Sequence, residues 1–134
     1  LNATTDIALA APRPAQPFAE QLLAVFRVHY RWLAEKPTLA RILLQELTFY
    51  SSGKQAATFH AIRKRLIDGI EELVRRAQKE KKIRSRENAG VIARYVFFVY
   101  SASLRWWIAA REPDPDRGIA ELRRLLKLMI EGLR

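Results

Sequence analysis

The sequence predicts an all-α domain of five to six helices. Apolar residues recur at intervals of three and four along most of the 134 residues, which is the spacing of amphipathic helices. The chain has no Asn-Gly hairpin signal and no sustained alternation of apolar and polar residues, so strands are not expected. The length suits one domain, and an apolar content of 49% is enough to build a core.

The first residues are predicted to form a separate segment. We expect a short helix or tail at 2–11 and then a linker, since Pro12 and Pro14 cannot lie inside a helix. Residues 1–16 would form this segment, and residues 17–134 would form the domain. No signal peptide is apparent. Because the chain begins with Leu1 rather than Met, we expect that residues upstream are missing.

Two prolines define the next helices. Pro17 is a favoured first-turn residue, and the helix that it opens should end before Pro37, because the residue before a proline is pushed out of helical geometry. Pro37 then opens a helix over 37–50. The apolar stripe of the first of these helices consists of Phe18, Leu22, Val25, Phe26, His29 and Leu33.

The third long helix is predicted to run from a cap at Ser51 or Ser52 to about Lys82. Its outer face carries charges at helical spacing. Glutamate precedes arginine by four residues twice, at Glu71 and Glu72, which is the favourable order for an ion pair along a helix.

The last two helices carry the most apolar surface. Ser85 is expected to cap a helix over 86–111, and Asp114 followed by Pro115 to start the final one, which ends at about Leu133. Only ten uncharged residues separate Arg94 from Arg105, too few for a membrane span, so no membrane contact is expected.

The helix over 86–111 is apolar on two sides and must therefore be buried on more than one face. One side carries Ala89, Ile92, Val96, Tyr100, Leu104 and Trp107, and the other carries Val91, Tyr95, Phe98, Ala102, Trp106 and Ala109. A four-helix bundle made from the last two helices of two copies would cover both. The sequence thus predicts a homodimer with an interface on the order of 2,000 Å².

The marks of an enzyme or metal site are missing from the sequence. The two histidines, His29 and His60, are far apart in sequence, and no HExxH, GxSxG or glycine-rich phosphate loop is present. The chain has no cysteine, which excludes thiolate chemistry and suits the cytoplasm. We therefore expect no catalytic residues, no metal and no cofactor.

Aromatic residues spread over the first four long helices suggest a ligand pocket. Such pockets are mostly apolar with a few polar groups, although aromatics at helical spacing are more commonly plain core. His60 could equally be a boundary residue, whereas Arg63 would allow an anionic group on the ligand. The candidate ligand-binding residues are Phe26, Tyr30, Phe49, Tyr50, Phe59, His60, Arg63, Phe97, Tyr100 and Trp106.

The charge of the chain suggests an alternative function. The net charge is +10, and residues 63–86 contain ten Lys or Arg against four Asp or Glu. A basic segment of this kind can bind nucleic acid or an anionic surface. It has no interleaved aromatic residues, however, and such runs are more commonly solvated helix ends.

Three stretches of the sequence carry a resemblance to a known family. They are "EKPTLARILLQEL" (35–47), "LIDGIEELVRRAQKEKKIRS" (66–85) and "IAELRRLLKLMIEGL" (119–133). In this order, with the apolar helix between the last two, they resemble the C-terminal domain of TetR-family transcriptional regulators over about 12–134. The resemblance implies a homodimer that binds a small, largely apolar inducer.

The resemblance also implies which residues meet in the dimer. In the family the last two helices form the dimer bundle, and by position the interface residues here would be Leu104, Trp107, Ile108, Leu122, Leu126, Met129 and Ile130. The family's DNA-binding helix-turn-helix lies N-terminal, and nothing in this sequence matches it. DNA would then be bound only through that missing head. Residues 1–11 would be the end of the helix that connects the head to this domain. A further alternative is a helical small-molecule-binding protein without a regulatory role.

Overall fold

The computed structural model describes residues 2–42 and 54–133, and the side chains of residues 3–42 and 60–133. The described residues form helices, turns and bends, without strands, so the all-α prediction is confirmed. Five helices are defined as follows: α1 Asn2–Ala10, α2 Phe18–Glu35, α3 Lys54–Lys79, α4 Ala89–Ile108 and α5 Pro115–Gly132. Residues 37–42 are also helical.

Helix α2 is the centre of the bundle, since it contacts each of the other four helices. Helix α4 packs on α3 and α5, and α1 packs on α2 and α3. The apolar stripe predicted for α2 is buried, including His29. An ion pair between Glu20 of α2 and Arg123 of α5, with Nε and Oε1 3.0 Å apart, lies at the edge of the α2–α5 contact.

The start of α4 differs from the prediction. Its cap is Asn88 rather than Ser85, because the Asn88 side chain accepts hydrogen bonds from the backbone N–H groups of Gly90 and Val91, at 2.8 and 3.3 Å. Ser85 instead donates its backbone N–H to the Leu133 carbonyl and so joins the preceding loop to the end of α5. The cap predicted at Asp114 is present, and its side chain accepts from the Asp116 N–H at 3.0 Å.

The end of α3 also lies earlier than expected, at Lys79 rather than Lys82. Lys81 adopts a positive φ of 59°, and the Lys82 N–H returns to the Ala77 carbonyl at 2.8 Å. This is the hydrogen-bond pattern of a Schellman motif, which ends a helix with one left-handed residue. The Lys82 ammonium then binds the carbonyls of Pro14 and Gln16, at 2.8 and 2.9 Å, and ties the linker to this turn.

Arg41 connects the helical residues 37–42 to the end of α4. Its guanidinium donates to the carbonyl oxygens of Ile108 at 3.0 Å and of Ala110 at 2.6 Å. These carbonyls lack intrahelical partners and lie at the negative end of the helix dipole, so a cation is favoured there. The rest of the helix predicted at 37–50, and the caps predicted at Ser51 and Ser52, lie outside the described residues.

The core is closed around a glycine. A Cβ at Gly118 of α5 would lie 2.6 Å from Cε2 of Tyr30 and 2.8 Å from Cδ1 of Trp107. Both rings belong to the buried core, so neither can swing into solvent. The close approach of α5 to α2 and α4 therefore requires glycine at this position.

We predict that Gly118→Ala lowers the free energy of unfolding by about 1–3 kcal/mol, because the added methyl group overpacks the core. Gly132→Ala is the matched control, since nothing lies within 4 Å of a Cβ built there, and it should change stability by less than about 0.5 kcal/mol. Urea unfolding followed by circular dichroism measures both. Equal stabilities for the two variants would show that the core accommodates the methyl group.

Candidate functional site

Four buried aromatic rings from α2 and α4 form a cluster in the middle of the core. Phe26 stacks on Tyr100 with ring centroids 4.2 Å apart, and Tyr30 stacks on Trp107 at 4.5 Å. Tyr30 and Tyr100 join the two pairs, at 6.1 Å. We call Phe26, Tyr30, Tyr100 and Trp107 the aromatic cluster. The helical spacing of these residues places them on the facing sides of α2 and α4.

Polar groups lie within the aromatic cluster. The Tyr30 hydroxyl donates to Ser103 Oγ at 3.4 Å, and the Trp107 indole N–H donates to the Asp114 carbonyl at 2.7 Å. Burial raises the pKa of Tyr30 to about 12 and raises that of Tyr100 as well, so both phenols are neutral at physiological pH. Among the described residues, the Tyr100 hydroxyl has no hydrogen-bond partner.

His29 lies beside the aromatic cluster, with its ring centroid 6.4 Å from that of Tyr100. Its Nε2 is 3.3 Å from Thr5 Oγ1 in α1, a buried hydrogen bond whose donor depends on the imidazole tautomer. Its Nδ1 is buried and has no partner within the described part of the chain. Burial lowers the pKa of His29 to about 4, so the ring is neutral at pH 7.

Helix α1 forms one wall next to this histidine. Thr5 and Ala8 are fully buried, and Asp6 pairs with Arg65 of α3. Leu9 covers Gly69 so closely that a Cβ there would lie 2.3 Å from Leu9 Cδ2. The N-terminal segment thus docks on the domain through both α2 and α3.

The structure brings only part of the predicted ligand-binding set together. Phe26, Tyr30 and Tyr100 meet in the aromatic cluster, and the half-buried Phe97 lies 6.1 Å from Tyr100. Phe49 and Tyr50, as well as the side chain of Phe59, lie outside the described residues.

Three other predicted ligand residues lie elsewhere. Trp106 is 84% exposed on the outer side of α4, because it is one helical position away from the inward-facing Trp107. His60 is exposed on α3, and Arg63 is half-buried there with interactions of its own. His29, and not His60, is the histidine that lies beside the aromatic rings. Its place between Phe26 and Leu33 in an apolar stripe was the signal that it faces the core.

The residues expected at a dimer interface lie mainly inside the chain's own core. Leu104, Trp107 and Ile108 are buried, with the Trp107 ring against Tyr30 of α2, and Ile130 is half-buried. A side chain that its own chain covers can offer little area to a partner, so an interface would have to be formed by other residues. The remaining residues of that set, also buried, are Leu122, Leu126 and Met129.

A different stripe on α4 is open to solvent. Its residues repeat at intervals of four and three, so they line one face, and we call them the outer stripe: Val91, Tyr95, Phe98, Ala102 and Trp106. Phe98 is 61% exposed, and Arg94 and Arg105 border one edge of the stripe. On α5 the exposed face is mostly charged, with Leu128 as its large apolar residue. A continuous stripe of exposed apolar side chains is typical of an interaction surface.

The basic segment 63–86 is partly neutralised by its own carboxylates. Lys64 pairs with Asp68 at 2.7 Å, and the two ion pairs predicted along α3 form, at 2.9 Å for Arg75 and 3.4 Å for Arg76. Lys82 binds backbone carbonyls and Glu80. These contacts leave fewer cations for a phosphate backbone than the composition suggests.

The described residues contain no group of three or more potential metal ligands. None of their helices is long and apolar enough to cross a membrane.

Comparison with known families decides the classification. A family model described as "Tetracyclin repressor-like, C-terminal domain" matches residues 15–130, which is most of the chain. The chain belongs to this family. The tetracycline repressor-like match begins in the linker and runs through α2, α3, α4 and most of α5, leaving α1 outside. No curated protein and no solved structure matches the chain significantly.

Members of the tetracycline repressor-like family are regulators, and the matched domain is their ligand-binding and dimerisation part. In this domain α4 has two apolar faces with different surroundings. The inner face, with Tyr100 and Trp107, belongs to the aromatic cluster, and the outer stripe faces solvent. Helix α1, which precedes the matched residues, contacts the same cluster through His29.

Proposed function

We propose that this chain is the effector-binding and dimerisation part of a cytoplasmic TetR-like repressor that senses a small, largely apolar molecule. The observation that carries the proposal is the two-faced α4. Its inner face supplies two rings of the aromatic cluster, and its outer stripe offers unpaired apolar surface. The enclosed cluster suits an apolar effector and the outer stripe suits a second copy.

Dimerisation through the outer stripe is supported by its shape and composition. A twofold interface is self-complementary, so one straight apolar stripe can pack on its own copy. Tyrosine and tryptophan, here Tyr95 and Trp106, are among the residue types that contribute most to binding at interface centres, and phenylalanine is also enriched in interfaces. Arg94 and Arg105 lie at the edge, where charges can remain hydrated.

Regulation would follow from the position of α1. This helix would be the end of the helix that connects the sensing domain to a DNA-binding head in the family, and its Thr5 hydrogen-bonds to His29 beside the aromatic cluster. An effector that binds one position of α1 more tightly than another shifts the population of the two. DNA affinity would then depend on the effector without any direct contact between the two ligands.

The reading frame upstream of Leu1 provides the test. We expect roughly fifty further codons that encode a basic helix-turn-helix. The protein with this head should bind DNA from its own promoter region and release it when effector is added. A start codon immediately before Leu1 would contradict the regulatory role and favour a binding protein without one.

A further inference from the structure

The strongest unexplained feature of the core is His29. Its side chain is 96% buried and its Nδ1 has no partner within the described residues, while Nε2 is held by Thr5. Buried polar atoms are almost always hydrogen-bonded, because an unpaired one has lost its hydrogen bonds to water and gained none in return. A water molecule or a ligand can supply the partner that this atom lacks.

A second unpaired group lies on the neighbouring ring. The Tyr100 hydroxyl makes no hydrogen bond with the described residues, and the Tyr100 ring lies between Phe26 and His29, at 4.2 and 6.4 Å. Its pKa is raised by burial, so the hydroxyl keeps its proton and can both donate and accept. A few polar groups set among apolar rings are the usual composition of a ligand site, and His29 Nδ1 and the Tyr100 hydroxyl are two such groups on neighbouring rings.

The polar groups of this region are all uncharged at neutral pH. Burial holds the pKa of His29 at about 4, and the others are hydroxyls, those of Tyr30, Tyr100 and Ser103. An anionic ligand would lose its hydration here without meeting a cation among these side chains, which opposes its binding. A neutral polar group loses much less hydration and can still form a hydrogen bond with an unpaired atom.

We propose that His29 Nδ1 and the Tyr100 hydroxyl are the polar anchor of the effector site, and that it takes an uncharged molecule with a hydroxyl, carbonyl or amide group on an apolar body. This inference rests on the proposed effector-binding function. It differs from the anionic ligand that Arg63 would have allowed. In a neutral imidazole the two nitrogens share one proton, so a group bound at Nδ1 also decides whether Nε2 donates to or accepts from Thr5.

Three probes of similar size test the anchor on the full chain: 4-methylphenol, toluene and 4-methylbenzoate. Binding is followed by nitrogen-15 NMR of the two histidine rings, with His60→Gln used to assign the signals. We expect 4-methylphenol to bind most tightly and to shift the His29 ring nitrogens while the His60 signals stay in place. The carboxylate should bind at least about tenfold more weakly than the phenol.

Tyr100→Phe is the variant for this test, since it removes only the hydroxyl and keeps the ring that stacks on Phe26. It should weaken 4-methylphenol binding about tenfold and leave toluene binding unchanged. Two results would overturn the anchor but leave room for an effector site elsewhere. One is equal affinity for the phenol and the carboxylate. The other is phenol binding that neither shifts the His29 signals nor weakens in Tyr100→Phe. Failure of all three probes at millimolar concentration would overturn the anchor and remove support for the effector-binding function itself.

Discussion

Phe98→Arg is expected to convert the proposed dimer into a monomer. The substitution removes a central ring of the outer stripe and places a third cation beside Arg94 and Arg105. In a twofold interface the change occurs twice, so we expect a loss of about 4 kcal/mol, or about a thousandfold in the dissociation constant. Sedimentation velocity over a micromolar concentration range measures it.

Ile7→Arg is the matched control for this variant. Ile7 is 63% exposed, as Phe98 is 61% exposed, but it lies on α1 and outside the outer stripe. The control should remain dimeric. Because both positions are exposed within one chain, both variants should keep the helix content of the original protein, which circular dichroism verifies. A dimeric Phe98→Arg chain would show that the partner does not bind at the outer stripe.

The second large effect is a loss of stability in mild acid. In the unfolded chain His29 has its ordinary pKa near 6.5, whereas burial lowers its pKa in the folded chain to about 4. Between these values the unfolded state binds more protons, so the free energy of unfolding falls as pH falls. The contribution of His29 is fully present above pH 6.5, and about 2 kcal/mol of stability should be lost between pH 7 and pH 5.

A pair of histidine variants isolates this effect in urea unfolding at fixed protein concentration. His60→Gln should keep the slope of stability against pH, because His60 is exposed. His29→Gln should remove most of that slope, whatever its stability at pH 7. The measurements stop at pH 5 so that Glu20 does not contribute to the slope. Its hydrogen bond to Arg123 is the main reason that the pKa of Glu20 is lowered in the folded chain. The stability that this carboxylate contributes is therefore lost only at pH values below the ordinary pKa of glutamate. An unchanged slope in His29→Gln would mean that the proton is taken up elsewhere.

The sequence predicted the helices well because their signals are local. Proline at 17, 37 and 115 and the cap at Asp114 depend on neighbours within one turn. The start of α4 was misplaced because Ser85 and Asn88 are both good caps, and only the hydrogen bond from Ser85 to the end of α5 decides between them. That contact joins residues far apart in sequence.

The candidate site was less predictable because it depends on which side of a helix faces the core. The sequence showed two apolar sides on α4 but not which one the chain buries itself. Trp106 and Trp107 are neighbours in sequence, yet one is 84% exposed and the other is buried beside Tyr30. The role of His29 depends on Thr5, which is 24 residues away and in a segment predicted to be a short helix or tail.

The two apolar faces of α4 would couple the proposed effector site to the proposed dimer surface. Tyr100 stacks on Phe26, and Phe98 would meet the partner. These two residues lie two positions apart on one rigid helix. A change in the effector site that rotates or shifts α4 must also change the outer stripe. Coupling of this kind is reciprocal, so dimerisation and effector binding should affect each other's affinity.

The most direct test of the outer stripe as the dimer surface uses the absence of cysteine from the chain. Ala102→Cys places a single exposed thiol in the stripe, which in the proposed twofold dimer would pack on its own copy. Ala61→Cys places one on the exposed face of α3 as the control. Under mild oxidation at micromolar concentration, the A102C chain is predicted to run as a covalent dimer on a non-reducing gel and the A61C chain as a monomer. An A102C chain that cross-links no better than A61C would contradict the account.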